Sequence, residues 1–251
     1  MINIVVPMAG RGSRFAGTEY GIPKPLIQVL PGKPMIDYVI DYLTLPEPHR
    51  FIFICFGGHD RVYNLKSFFR GKTSGHEIIV SERLTAGPAA SAFLAKRFIE
   101  NDEELLVAYC DMFLTIDMVH FLEWNRRCGA DGGVIAYPST NPMDSYAEID
   151  AKGRVVQTAE KTLISGTATA GLYYFRRGRD FVSAARAMLA NRRDRHVELF
   201  VNPCFNELIR RGKTVLAYSI RHDEKIEMGT PDDLRRSRLW LGQPAVQSAP
   251  R

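Results

Sequence analysis

Four short apolar runs, Ile2 to Val6, Phe51 to Phe56, Ile78 to Val80 and Leu105 to Tyr109, constrain the fold of this chain more than any other feature. Each is nearly continuous rather than alternating, which is the pattern of a strand covered on both faces. Helix-like stretches lie between them: Met35 to Leu45, Val62 to Phe69, and Ala89 to Ile99 with an apolar stripe at Ala92, Leu94, Ala95 and Phe98. This β-α-β-α order predicts an α/β fold with a doubly wound, mostly parallel, Rossmann-like sheet. Ligands on such sheets bind outside the carboxyl ends of the strands.

The second half reads differently. Val134 to Tyr137, Ala147 to Ile149, Val155 to Thr158 and Gly171 to Phe175 are short strand segments, and Lys152-Gly153 makes a hairpin turn between two of them. Helices are expected at Phe181 to Leu189, Leu199 to Arg210 and Asp232 to Leu241, with one more strand at Val215 to Tyr218. With 251 residues and 45% apolar content the chain can bury a sizeable core. We read one domain over 1–241, made of halves at about 1–130 and 131–241, the second smaller and β-rich, with a frayed tail at 242–251.

The first apolar run opens into Met8-Ala9-Gly10-Arg11-Gly12-Ser13-Arg14-Phe15, and Pro23-Lys24-Pro25-Leu26 follows. Gly10 and Gly12 can adopt φ > 0 and let backbone N–H groups turn toward an anion, while Arg14 and Lys24 add two positive charges. That combination suits a polyphosphate. It is not a Walker A loop, because Gly71-Lys72-Thr73 and Gly212-Lys213-Thr214 have Lys66 and Glu207 where the first glycine belongs. Nor is it the dinucleotide fingerprint, since Phe15 replaces the third glycine.

The stretch resembles the opening of the sugar-phosphate nucleotidyltransferases, or nucleotide-sugar pyrophosphorylases: an apolar strand, G-x-G-[ST]-R, P-K-x-L, then the G-K-P seen here as Gly32-Lys33-Pro34. The resemblance continues in order along the chain. Glu160-Lys161 resembles the family's E-K-P with Thr162 in place of Pro, and Ala170-Gly171-Leu172-Tyr173-Tyr174-Phe175 resembles T-G-x-Y-x-F. Tyr146-Ala147 falls at the family's Y-G, and Ile226 to Leu234 resembles D-x-G-T-P-E-D-L with Glu227 at its Asp.

The resemblance implies a Mg²⁺-dependent transfer of a nucleotide from an NTP to a sugar 1-phosphate, releasing pyrophosphate and giving an NDP-sugar. It implies Ala9, Gly10, Gly12, Ser13 and Gly87 at the nucleotide, with Arg14 and Lys24 offsetting triphosphate charge. Tyr146, Glu160 and Gly171 would meet the acceptor, Lys161 its phosphate, and Asp111 and Glu227 the metal. Asp111 also has a reading of its own: it directly follows an apolar strand, so its carboxylate projects into the ligand crevice. A helix N-cap is the alternative role, but Thr115 or Asp117 can fill it. Glu82 aligns with the family's base-reading position, and a carboxylate there accepts only, which favours GTP or CTP. A cytidylyltransferase for a phosphocholine-like acceptor stays open, and so does a nucleotide-binding regulator without turnover. The regulator would have no need of Asp111 or Glu160-Lys161.

A net charge of +5 is compatible with anionic substrates and with nucleic acid alike. No aromatic-interleaved signature accompanies the basic runs Arg176-Arg177, Arg192-Arg193-Asp194-Arg195 and Arg235-Arg236, so we read them as solvated and expect no nucleic-acid partner. Four cysteines without a C-x-x-C point to free thiols in a reducing cytoplasm. No apolar stretch reaches membrane-spanning length, and no basic leader precedes the first run. A homo-oligomer is compatible with all of this.

Overall fold

The structure, a computed structural model, describes residues 1–10, 12–15, 17–192, 194 and 197–243. The expected frayed tail lies outside them from residue 244 on, as do Arg193 and Arg195 of one basic run. The first half lays down β1 (Ile2–Pro7), the small hairpin β2 (Gln28–Leu30) and β3 (Lys33–Pro34), α1 (Met35–Leu43), β4 (His49–Phe56), α2 (Gly57–Tyr63), α3 (Leu65–Phe69) and β5 (His76–Ser81). It continues with α4 (Pro88–Phe93), α5 (Lys96–Ile99), β6 (Glu104–Ala108), β7 (Met112–Leu114) and α6 (Met118–Arg127). The second half adds β8 (Gly132–Pro138), β9 (Ser145–Ile149), β10 (Val155–Glu160), β11 (Thr167–Phe175), α7 (Gly178–Ala190), α8 (Cys204–Arg210), β12 (Val215–Ser219), β13 (Lys225–Glu227) and α9 (Pro231–Leu241).

One nine-stranded sheet runs through both halves in the order β10-β9-β11-β6-β1-β4-β5, with β8 pairing β11 and β12. Its core from β6 to β5 is parallel, and β11 then pairs antiparallel with β6, β8 and β9. The continuous apolar runs are explained by helices on both faces. Ile2, Ile4 and Val6 enter one core with Phe51 and Phe53, while Val5 enters the other with Ile52 and Ile54. Among the described residues no helix is long and apolar enough to cross a membrane.

Several local expectations are corrected. The helix expected over Val62 to Phe69 is two helices, because Asn64 takes a left-handed φ of 47° and caps α3 with its own side chain. The helix expected over Ala89 to Ile99 also breaks in two, and Leu94 of its stripe is exposed while Ala92 and Ala95 are buried. The helix expected from Leu199 begins only at Cys204. The backbone of Leu199 is instead committed to the loop before α4, giving its N–H to Ala86 O at 2.7 Å and accepting from Ala89 N at 2.9 Å. The cap of α6 is, as expected, one of the two residues offered for it, Asp117, which accepts from His120 N and leaves Asp111 free of that role.

Glu104 ties three elements together at the far end of the sheet: it accepts from Arg126 Nε at 2.9 Å and from the Tyr174 hydroxyl at 2.6 Å. Burial alone would raise its carboxyl, but the Arg126 and Tyr174 bonds outweigh burial and hold it below its ordinary value. A carboxylate shifted down on folding stabilises the folded state above its unfolded value, and that stability is lost as pH falls through the lowered one. We expect Glu104→Gln to cost about 1–2 kcal/mol at neutral pH, because Arg126 keeps Glu47 at 2.8 Å as a carboxylate partner but loses Glu104. Urea unfolding at pH 7 and at pH values stepped down through the carboxylate range checks this, the gap between variant and wild type narrowing as pH falls.

Candidate active site

The carboxyl ends of β1 and β6 open onto a cleft of about 940 Å³ that extends to the bulged part of β11. Its first wall is the glycine loop after β1. Of its two glycines only Gly12 is left-handed, with φ +63°, and a methyl group there would face Lys24 Cβ at 3.9 Å. Arg14 follows in a single turn, Ser13–Phe15, and Lys24 opens another, Lys24–Leu26. Phe15 is buried against Ile27, Met35 and Leu234, which explains why no third glycine stands there.

Lys24 Nζ reaches across to Asp111 Oδ2 at 2.9 Å and also donates to Gly229 O at 3.0 Å. Burial pushes the Asp111 carboxyl up, but the Lys24 charge and hydrogen bond, aided by Arg14, outweigh that and hold it below its ordinary value. It is therefore ionised at neutral pH. Asp111 lies between β6 and β7, and its backbone carbonyl accepts from Met228 N at 2.8 Å, so the pairing of β13 with β7 brings the Ile226–Leu234 motif to the cleft. A methyl group built on Gly229 would lie 3.3 Å from Arg14 Nη1, 3.4 Å from Asp111 Oδ2 and 3.7 Å from Asp233 Oδ2. Three charged groups thus surround one point beside Gly229.

The opposite wall belongs to the second half. Gly171 sits where a methyl group would strike the Tyr109 ring at 2.8 Å. Glu160 accepts from the Ser145 hydroxyl, and burial pushes its carboxyl above its ordinary value. Lys161 is left-handed at φ 50°, and its N–H donates to Asp144 O at 3.1 Å. Glu227 lines the cleft half-exposed, paired with Lys225 Nζ at 2.6 Å.

Ala9, Gly10, Gly12, Ser13, Arg14, Lys24, Gly87, Asp111, Glu160, Lys161, Gly171 and Glu227 all line this one cleft. Two expected residues do not. Glu82 points outward with its side chain 70% exposed and paired to Arg61 at 2.8 Å, which removes the argument for guanine or cytosine. Tyr146 is fully buried, its hydroxyl donating to Asn141 O at 2.7 Å, so it supports the wall without forming it. The sequence reading missed Asp233, Thr169, Tyr173 and Phe200, all on the cleft. For Asp233 the signal was available, since it lies in the Thr-Pro-Asp-Asp turn, where Thr230 caps α9 and donates to Asp233 Oδ2 at 2.6 Å.

The chain matches the family described as the MobA-like NTP transferase domain over residues 4–208. No curated protein matches it. Among solved structures, the nucleoside-diphosphate-sugar pyrophosphorylase from Vibrio cholerae RC9 is 25% identical with a TM-score of 0.78, over 94% of this chain and 99% of that one. A Bacillus anthracis protein in complex with a sucrose is 17% identical at a TM-score of 0.78, over 100% of this chain and 97% of its own. A UDP-glucose pyrophosphorylase complexed with UDP-glucose is 14% identical at a TM-score of 0.78, over 96% and 98%. The last two show a likeness of fold alone.

Proposed function

The chain belongs to the MobA-like NTP transferase domain family and is a nucleotidyltransferase, and on that premise we propose that it joins an NTP to a sugar 1-phosphate, releasing pyrophosphate. The observation that carries this reading is the convergence of Arg14, Lys24 and Asp111 beside Gly229, with Glu160 and Lys161 on the facing wall of the same cleft. The similarity to a nucleoside-diphosphate-sugar pyrophosphorylase supports it.

In the proposed reaction an acceptor phosphate oxygen attacks the α-phosphorus in line, an O–P bond forms, and the bond to the departing pyrophosphate breaks. The second pKa of a phosphate monoester is about 6, so the nucleophile is already ionised and no histidine base is needed. Charge crowding is the obstacle. Arg14 and the loop amides hold the triphosphate, Lys24 stands between them and Asp111, and Lys161 meets the incoming phosphate. Glu160 accepts from acceptor hydroxyls.

The donor set fits a hard divalent cation. Asp111 and Glu227 offer carboxylate oxygens, and among the described residues no group of three or more His, Cys, Asp or Glu is arranged to hold a metal unaided. Mg²⁺ takes one or two carboxylates and completes its shell with water and substrate phosphates. Asp111 and Glu227 would hold it, and when bound it supplies charge neutralisation between the phosphates. The four cysteines are free, in keeping with a cytoplasmic setting.

On the acceptor side Thr169 and Tyr173 line the cleft with Ser145, Glu160 and Lys161. These hydroxyls and the carboxylate suit hydrogen bonding to sugar hydroxyls, whereas a trimethylammonium group has no donor for them. This favours a sugar acceptor over phosphocholine. Four NTPs crossed with sugar 1-phosphates and phosphocholine, with Mg²⁺ and pyrophosphate detection, test the proposal. We expect release with a sugar 1-phosphate; release with phosphocholine alone would overturn the acceptor, and release with none would favour the regulator.

A further inference from the structure

Lys24 and Lys161 are two lysines on one cleft, held in opposite ways. Lys24 is neutralised by Asp111. Lys161 has no carboxylate at ion-pair distance among the described residues; its Nζ lies over the face of the Phe200 ring, 4.8 Å from the centroid. Phe200 in turn is fixed by its neighbours. Leu199 bonds Ala86 in the loop before α4 and Ala89 in its first turn, and Val201 is fully buried with its N–H directed at the Tyr109 hydroxyl. The aromatic ring is thus carried on a strap anchored at both sides.

A carboxylate would hold the ammonium more tightly, but it would cancel the charge that an incoming phosphate needs. A ring face orients a cation through its quadrupole and leaves the net charge intact. We propose that Phe200 is a positioning residue that holds the Lys161 ammonium over its ring so that the full charge is presented to the acceptor phosphate. The inference rests on the reading of Lys161 given above.

Phe200→Leu keeps an apolar side chain and removes the ring face, while Phe200→Tyr keeps the face. Loss of the cation–π contact predicts that Phe200→Leu raises the acceptor KM roughly fivefold to tenfold, which corresponds to about 1–1.4 kcal/mol. KM for the NTP should stay within about twofold, and Phe200→Tyr should restore the acceptor KM. Calorimetric binding of a sugar 1-phosphate without turnover gives the same comparison independently of activity. The decisive variant is the pair: if Phe200 acts through Lys161, adding Phe200→Leu to Lys161→Met should worsen the acceptor KM no further. Full additivity in the pair, or an equal rise in the KM of the NTP, overturns the inference while leaving Lys161 in place. An unchanged acceptor KM in Lys161→Met overturns the role of Lys161 as well. Melting temperatures of all variants identify any that fail to fold, and Phe200→Tyr then carries the comparison with wild type.

Discussion

Replacing Asp111 by Asn is expected to lower turnover by roughly a thousandfold while leaving the fold standing. The carboxylate is held ionised by Lys24 and Arg14 in a site where burial alone would have protonated it more readily. Asn keeps the shape and can still accept from Lys24 Nζ, so packing around β6 and β7 changes little. What it removes is the negative charge that would hold Mg²⁺ in the proposed reaction. The variant should melt close to the wild type, bind NTP in the absence of Mg²⁺ about as well, and show no gain in turnover when Mg²⁺ is added. Turnover at the wild-type rate would take Asp111 out of the mechanism.

Gly87→Ala is the second change with a large expected effect, and it acts through the backbone. Gly87 has φ 120° and ψ 178°, a conformation reserved in practice for glycine. A methyl group there would lie 2.6 Å from Leu199 N and 2.7 Å from Leu199 O, the two atoms that bond the neighbouring loop residues. Neither can retreat without breaking a hydrogen bond. We expect a loss of about 3 kcal/mol, or roughly 6–12 °C in Tm. KM for both substrates should rise as well, because the loop lines the nucleotide side and the strap carries Phe200. Gly129→Ala is the control. Gly129 also has positive φ, at +66°, but open space around it, so only backbone strain of about 1 kcal/mol is expected. Thermal melts of the two variants measure how far the collision and glycine-only backbone at Gly87 together exceed ordinary left-handed strain, and equal losses would refute the prediction.

The sequence carried the framework because the framework is a matter of burial. Runs such as Ile2 to Val6 are apolar at every position since helices cover both faces of β1, and that pattern survives without knowledge of partners. The glycine loop and Asp111 were legible for a similar reason: they come just after β1 and β6, and the sheet aligns those strand ends on one edge, whereas Glu160-Lys161 at the end of β10 was legible through the family resemblance. Elements decided by tertiary pairing were not legible. β7 and β13 are three residues each and exist only by pairing with each other. Leu199 lies outside any helix because its backbone bonds the loop at Ala86, which helical spacing of apolar residues cannot reveal. Glu82 shows the limit of alignment by order alone: β5 ends one residue earlier, and the side chain turns out toward Arg61. Phe200 carried no signal, since a single aromatic beside a valine reads as core.

Strand β11 pairs with β6 of the parallel core and with β8 and β9 of the second half, so one hydrogen-bonded surface carries both walls of the cleft. The separation between the glycine loop and Lys161 is therefore fixed by strand spacing and not by the opening of a hinge. A scaffold of this kind can change what it joins by rewriting the turns along one rim, and the reacting atoms keep their alignment throughout.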